Sequence, residues 1–176
     1  MEGRPSDIGF PSLYLKNNYK KEMKVIILKG LPASGKSTWA KDYVSKNPNT
    51  VRTNKDDIRE MLGVKEWSKG LESIADKTEK ASIIAALSES WDVIVDDTNF
   101  NERRVSGIKA MIKKFQSDSK KYKNLDIDID IEEKYFDTDL ETCLERNSKR
   151  TGKARVPDNV IKDMYNNYVK NNDNDA

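Results

Sequence analysis

The sequence predicts an α/β fold built on a mainly parallel sheet. Two short runs of β-branched apolar residues, Val25-Ile26-Ile27-Leu28 and Val93-Ile94-Val95, read as strands buried on both faces. Segments with apolar residues at helical spacing lie between and after them, and strands alternating with helices favour a parallel sheet. A glycine-rich turn follows the first run directly.

The elements follow in order. Residues 1–22 carry Gly3, Pro5, Gly9 and Pro11 without periodicity, and predict a poorly ordered extension ahead of a domain spanning 23–170. The first strand covers Lys24 to Lys29. A helix over 36–46 ends at Asn47-Pro48-Asn49, a short strand covers 50–54 and a short helical piece covers 56–62. Leu71, Ile74, Thr78, Ala81 and Ala85 trace one face of a helix that runs to about Ser90. The second buried strand runs from Asp92 to Asp97. Val105, Ile108, Met111, Ile112 and Phe115 line one face of a helix over 101–116. Leu125, Ile127, Ile129 and Ile131 alternate with Asp126, Asp128 and Asp130, which is a strand with one wet face continuing toward Tyr135-Phe136. Thr138 and Glu141 have the spacing of a capping box for a helix over 139–147. The stretch 148–156 is loop-like, Pro157 opens a last helix with Val160, Ile161, Met164, Tyr165 and Tyr168 inward, and 171–176 form a polar tail.

With 176 residues the chain suits one compact domain. Net charge is only +2, so any affinity for a polyanion must come from local patches. The chain has no histidine, which leaves proton abstraction to a carboxylate. Cys143 is the single cysteine, cannot close an intrachain disulfide and fits a reducing cytoplasm. Its spacing from Leu140 and Leu144 makes it a small core residue. No stretch reaches the ~20 apolar residues of a membrane span, so no membrane partner is expected.

The chemistry begins at Gly30-Leu31-Pro32-Ala33-Ser34-Gly35-Lys36-Ser37, followed by Thr38, which matches G-x-x-x-x-G-K-[ST] between a buried strand and a helix. Glycines let successive N–H groups converge on phosphate oxygens, and the helix adds its positive end. Lys36 is placed to reach the β- and γ-phosphates of ATP or another NTP, and Ser37 to ligate Mg²⁺. Asn54-Lys55-Asp56-Asp57 matches the N-K-x-D motif of guanine readers, but lies only about 20 residues beyond Lys36, too early for that role. At the carboxyl end of the second strand Asp56 would instead face the phosphate crevice, where a carboxylate can accept the proton of an attacking hydroxyl. Arg59, one turn on, could pair with an anionic group of the acceptor. The same spacing also allows Asp56 to cap the short helix with Arg59 solvated. Asp96 and Asp97 end the buried strand; alternation lets only one face the crevice easily, and Asp96 is open to a capping role. Arg146, Lys149, Arg150, Lys153 and Arg155 form a basic run placed like a lid, where an arginine can neutralise charge on a transferring phosphoryl group.

These motifs in this order resemble the kinase domain of bacteriophage-type 5′-polynucleotide kinases. The resemblance rests on the phosphate loop through Trp39-Ala40, on Asp56-Asp57-Ile58-Arg59, on Asp97-Thr98-Asn99 with Glu102-Arg103-Arg104, and on Arg146-Asn147-Ser148-Lys149-Arg150 with Val156-Pro157. It implies a three-layer P-loop kinase fold with a C-terminal lid, and transfer of a γ-phosphate to the 5′-hydroxyl end of DNA or RNA. It further implies Asp56 as general base and Arg59 as the clamp on the phosphate 3′ of the terminal nucleoside. Lys36 and Ser37 would hold triphosphate and Mg²⁺, with Arg146 and Arg150 in the lid. Asp97 would be an essential pocket carboxylate, and Thr98 and Asn99 would shape the acceptor groove. Family members that append a 3′-phosphatase need D-x-D-G-T. Asp128-Ile129-Asp130-Ile131-Glu132 lacks the Gly-Thr, so the sequence reads as a stand-alone kinase. Two alternatives stay open: a kinase for a small-molecule hydroxyl such as a sugar or nucleoside, and a nucleotide-binding module without phosphotransfer.

Overall fold

The computed structural model describes residues 21–63, 66–123 and 126–170. The extension at 1–20 and the tail at 171–176 lie outside the described residues.

Four strands, β1 (Lys21–Gly30), β2 (Thr50–Thr53), β3 (Asp92–Val95) and β4 (Ile127–Phe136), form one parallel sheet in the order β2-β3-β1-β4. Among the described residues six α-helices accompany them: α1 (Lys36–Lys46), α2 (Lys55–Met61), α3 (Lys69–Ser88), α4 (Glu102–Lys123), α5 (Leu140–Ser148) and α6 (Asp158–Met164). The predicted α/β architecture is the observed one.

Strand alternation builds the layers. Met23, Val25 and Ile27 of β1, with Val93 and Val95 of β3, point to one face and pack against Ile83, Ala86 and Leu87 of α3 and Val105, Ile108 and Ile112 of α4. Ile26, Leu28 and Ile94 point to the other and pack against Ala40 of α1, with Trp39, Tyr43 and Phe136 around them. A third cluster joins Leu31 and Phe100 to Cys143 of α5 and Ile161 of α6, which confirms Cys143 as a core residue.

Several boundaries differ from the sequence reading. β1 begins at Lys21, because Lys21 and Glu22 continue the register against Ile127 and Asp128 of β4. α4 runs on to Lys123. Thr138 does not cap α5: Asp139 does, accepting from the Thr142 N–H at 2.7 Å, while the Thr138 hydroxyl donates to the Ser34 carbonyl at 3.0 Å. β4 is an edge strand with Ile129 buried; of the three aspartates expected on a wet face, Asp130 is exposed, Asp128 is half-buried and Asp126, exposed, precedes the strand. No acidic group among the described residues is arranged to hold a metal by itself. No described helix is long and apolar enough to cross a membrane.

Candidate active site

The phosphate loop spans the turn between β1 and α1. Gly30 has φ +151°, and a Cβ there would meet Phe136 Cβ, the Phe136 carbonyl and Ser34 Oγ at 3.0 Å each, so no other residue fits without displacing backbone. Gly35, at φ +102°, is the N-cap of α1 and turns the chain into the helix. The loop is held from both sides: Gly30 N donates to the Thr98 carbonyl at 3.3 Å, and Thr138 reaches the Ser34 carbonyl. Leu31, Ala33 and Ser34 are buried, Pro32 is half-buried and Thr38 is exposed.

Lys36 lies folded into this loop, 7% exposed, donating to the carbonyls of Gly30 at 2.9 Å and Leu31 at 2.7 Å. Burial drives its pKa down to about 8, partly offset by Asp96 and Asp97. Phosphate oxygens would supply the negative partner that this ammonium lacks.

Asp96 stands beside Ser37. Burial raises its pKa, and the Ser37 hydroxyl and Arg52 oppose that rise. Its Oδ2 accepts from Arg52 Nε at 2.7 Å, whereas Oδ1 is buried without a hydrogen-bond partner. A hydroxyl and an unused carboxylate oxygen fit a hard divalent cation. Asp96 therefore does not cap the following helix. It continues the alternation of β3 onto the α1 face, and it is Asp96, not Asp97, that adjoins Ser37.

Asp97 points to the opposite face. Its Oδ2 accepts from Arg104 Nη2 at 2.7 Å, and its Oδ1 accepts from the backbone N–H of Lys55, the first residue of α2, at 3.1 Å. The start of α2 is thus tied to the end of β3. Its cap is Asn54, whose Oδ1 accepts from the N–H groups of Asp56 and Asp57 at 2.9 and 3.1 Å. The helix-capping role therefore falls to Asn54. Asp56 is not the cap, and its exposed carboxylate pairs with Arg59. Arg59 is not solvated: Nε and Nη2 make a two-pronged contact with Glu72 of α3 at 2.5 and 3.0 Å.

Asn99 departs from expectation. It is 3% exposed, in the left-handed region at φ +50°, and its amide donates to the carbonyls of Leu28 at 2.7 Å and Val95 at 3.2 Å. Its Oδ1 accepts from Arg104. Asn99 ties β1 to β3 and has no group left to line an acceptor groove. Thr98, half-buried, contributes the carbonyl that anchors the loop.

Arg146 and Arg150 stand over the loop from α5 and just after it. With Ala33, Gly35, Thr38, Trp39 and Asp42 they line an open cavity of about 590 Å³. Arg146 Nη1 lies 4.0 Å from where a side chain on Gly35 would begin. The basic segment after α5 is stapled by the fully buried Asn147, whose amide donates to the Val156 carbonyl at 2.6 Å and to Asp158 Oδ1 at 3.1 Å.

Arg52, Glu72, Glu79 and Asn147 carried no role in the sequence reading. Glu79 left a trace there: it lies between Ala75 and Ile83 on the buried stripe of α3, where a charge needs a partner. Arg52 and Glu72 left none.

A family model described as an AAA domain matches residues 25–170. Among curated proteins, the L-seryl-tRNA(Sec) kinase of Methanococcus maripaludis is 30% identical over 148 residues, covering 82% of this chain and 52% of that protein. A solved structure of the Pnkp1/Rnl/Hen1 RNA repair complex contains a similar chain, with TM-score 0.72 and 30% identity over 91% of this chain and 48% of that one. A second Pnkp1/Rnl/Hen1 complex matches with TM-score 0.61 and 32% identity over 78% of this chain and 43% of that one. The chain spans about half the length of these relatives.

Proposed function

This chain belongs to the AAA-domain family and is a P-loop kinase domain, and from that premise we propose that it transfers the γ-phosphate of ATP or another NTP to the 5′-hydroxyl end of DNA or RNA, as in nucleic acid end repair. The observation that carries the reading is the Asp56–Arg59 pair on α2, anchored to Glu72 on one side and, through Lys55, to Asp97 on the other. It offers a carboxylate for the hydroxyl proton and, beside it, a fixed cation for an acceptor phosphate. The likeness to chains of an RNA repair complex supports the same reading.

In the proposed reaction the N–H groups of the loop and Lys36 hold the triphosphate. Ser37 and Asp96 would hold Mg²⁺, which adds charge neutralisation when bound. Arg59 grips the phosphate 3′ of the terminal nucleoside and so directs its 5′-hydroxyl toward the γ-phosphorus. Asp56 takes the hydroxyl proton as the oxygen bonds to that phosphorus. The bond to the β–γ bridging oxygen breaks, and the charge left on the nucleoside diphosphate is met by Lys36 and Arg146.

A second reading has its own support. The seryl-tRNA kinase relative phosphorylates, by its name, an aminoacyl hydroxyl carried on tRNA. The test uses γ-labelled ATP with 5′-hydroxyl oligonucleotides, nucleoside 3′-monophosphates, seryl-tRNA and sugars. Label on the oligonucleotides and 3′-monophosphates supports the proposal; label on seryl-tRNA or sugars alone overturns it. Asp56→Asn should cut turnover about 10²-fold or more while ATP binding persists. Unchanged turnover would remove Asp56 from the chemistry.

A further inference from the structure

The Arg103-Arg104 pair that follows the Asp97-Thr98-Asn99 motif has no place in the reaction just described, yet the Arg104 side chain bonds three other residues of the site. Its Nη1 donates to Asn99 Oδ1, and its Nη2 donates to Glu79 Oε2 and, at 2.7 Å, to Asp97 Oδ2. Its Nε lies 3.8 Å from Asp76 Oδ1 and makes no hydrogen bond. One guanidinium therefore touches four structural units: the end of β1 through Asn99 and the Leu28 carbonyl, the end of β3 at Asp97, α3 at Glu79, and α2 through Asp97 and the Lys55 N–H.

We infer that Arg104 is a positioning residue for the acceptor side of the reaction: it fixes Asp97, and through Asp97 the start of the helix bearing Asp56 and Arg59, against the strand that carries the phosphate loop. The inference rests on the proposed kinase reading and extends it to residues that touch neither substrate. α3 supplies the matching rail. Glu72, Asp76 and Glu79 recur at intervals of four and three residues, which aligns them on one helix face. Glu72 holds Arg59 and Glu79 holds Arg104, so both arginines are referenced to the same rigid element. The acidic groups around Arg104 are Asp97, Asp76 and Glu79, the last with its pKa raised to about 8 by burial and by Asp97, and Lys80 is paired to Asp76 at 2.6 Å. Such a fork cannot be copied by a lysine, whose single ammonium cannot span Asn99, Glu79 and Asp97 in the same geometry.

Removing Arg104 alone would strand Glu79, which is fully buried. The variant for the test is therefore the double change Arg104→Met with Glu79→Gln. A second variant leaves the arginine in place. Lys55 is the first helical residue after the extended Asn54, a position that accepts proline, so Lys55→Pro deletes the N–H bonded to Asp97 and little else. Lys55→Ala, which keeps the N–H, sets the baseline for loss of the side chain.

Three readouts apply to the full chain: ATP affinity by calorimetry, acceptor KM with nucleoside 3′-monophosphates and 5′-hydroxyl oligonucleotides, and amide exchange of residues 56–61. The double variant, and Lys55→Pro relative to Lys55→Ala, should raise acceptor KM about 10-fold or more. ATP affinity should stay within about twofold, and exchange in α2 should accelerate. Equal losses for ATP and acceptor, or Lys55→Pro behaving as Lys55→Ala, would overturn the inference. The exchange measurement needs no acceptor. If wild-type protein labels none of the nucleic acid acceptors, the function proposal fails, while α2 exchange still decides whether Arg104 fixes that helix.

Discussion

Lys36 offers the sharpest test of the phosphate site, because its charge is set by what lies against it. The side chain is 7% exposed and its pKa lies at about 8, against an ordinary value of 10.5. That difference corresponds to ~3 kcal/mol of preference for the neutral amine. The shift is downward, so between about 8 and 10.5 the unfolded chain binds more protons than the folded one, and stability rises with pH through that window. Below about 8 both forms are protonated, and the full cost is present. A polyphosphate in the loop restores the ammonium, so nucleotide binding must take up a proton when the free site is neutral. At pH 9 roughly 0.9 of free sites are neutral, which predicts uptake of about 0.9 proton per ADP and an affinity falling roughly tenfold per pH unit above 8. ADP itself is fully ionised there and contributes no proton. Calorimetry at pH 9 in two buffers of different ionisation enthalpy reads the uptake directly. Lys36→Met should bind ADP weakly and show none. Absence of uptake in the wild-type protein would refute the lowered pKa of the free Lys36 side chain, and unchanged ADP affinity in Lys36→Met would refute its assignment to the phosphates.

Two further outcomes follow from side chains that sequence reasoning passed over. Glu72→Gln keeps the shape of the contact to Arg59 but removes its charge; acceptor KM should rise about tenfold with ATP KM unchanged, as a KM split in steady-state kinetics would report. Asn147→Ala removes three side-chain hydrogen bonds at a fully buried site, two with the Val156 backbone and one with Asp158. It should lower stability by ~1–3 kcal/mol in urea unfolding and weaken ATP binding through Arg146 and Arg150, which flank the staple.

The fold and the phosphate loop were open to sequence reasoning because both are written in local terms. β1 and β3 announce themselves by uninterrupted β-branched runs, since parallel strands covered on both faces have no polar position to alternate with. Gly30 and Gly35 both hold positive φ, so their spacing marks the loop without tertiary information, although Gly30 is also closed in by Phe136 and Ser34. The acceptor side is different in kind. Arg59 and Glu72 are 13 residues apart, and Arg104 and Glu79 are 25 apart. Nothing in the local pattern says that either pair meets, because the pairing is made by α3 packing against β2 and β3.

The pair Asp96 and Asp97 shows where the limit falls. Alternation predicts that the two diverge, and they do. Which one meets the phosphate loop depends on which face of the sheet carries α1. In the structure Ile94 faces Ala40 of α1, so Asp96, two residues on, reaches Ser37 at the start of that helix; Val95 faces α3 and α4, so Asp97 reaches Glu79 and Arg104. The parity of the strand was legible and its sign was not. The same division assigns the two carboxylates separate work, one beside the proposed cation and the other at the root of α2. The two are distinguishable by experiment: Asp96→Asn should impair Mg²⁺-dependent ATP use, and Asp97→Asn should impair the acceptor side.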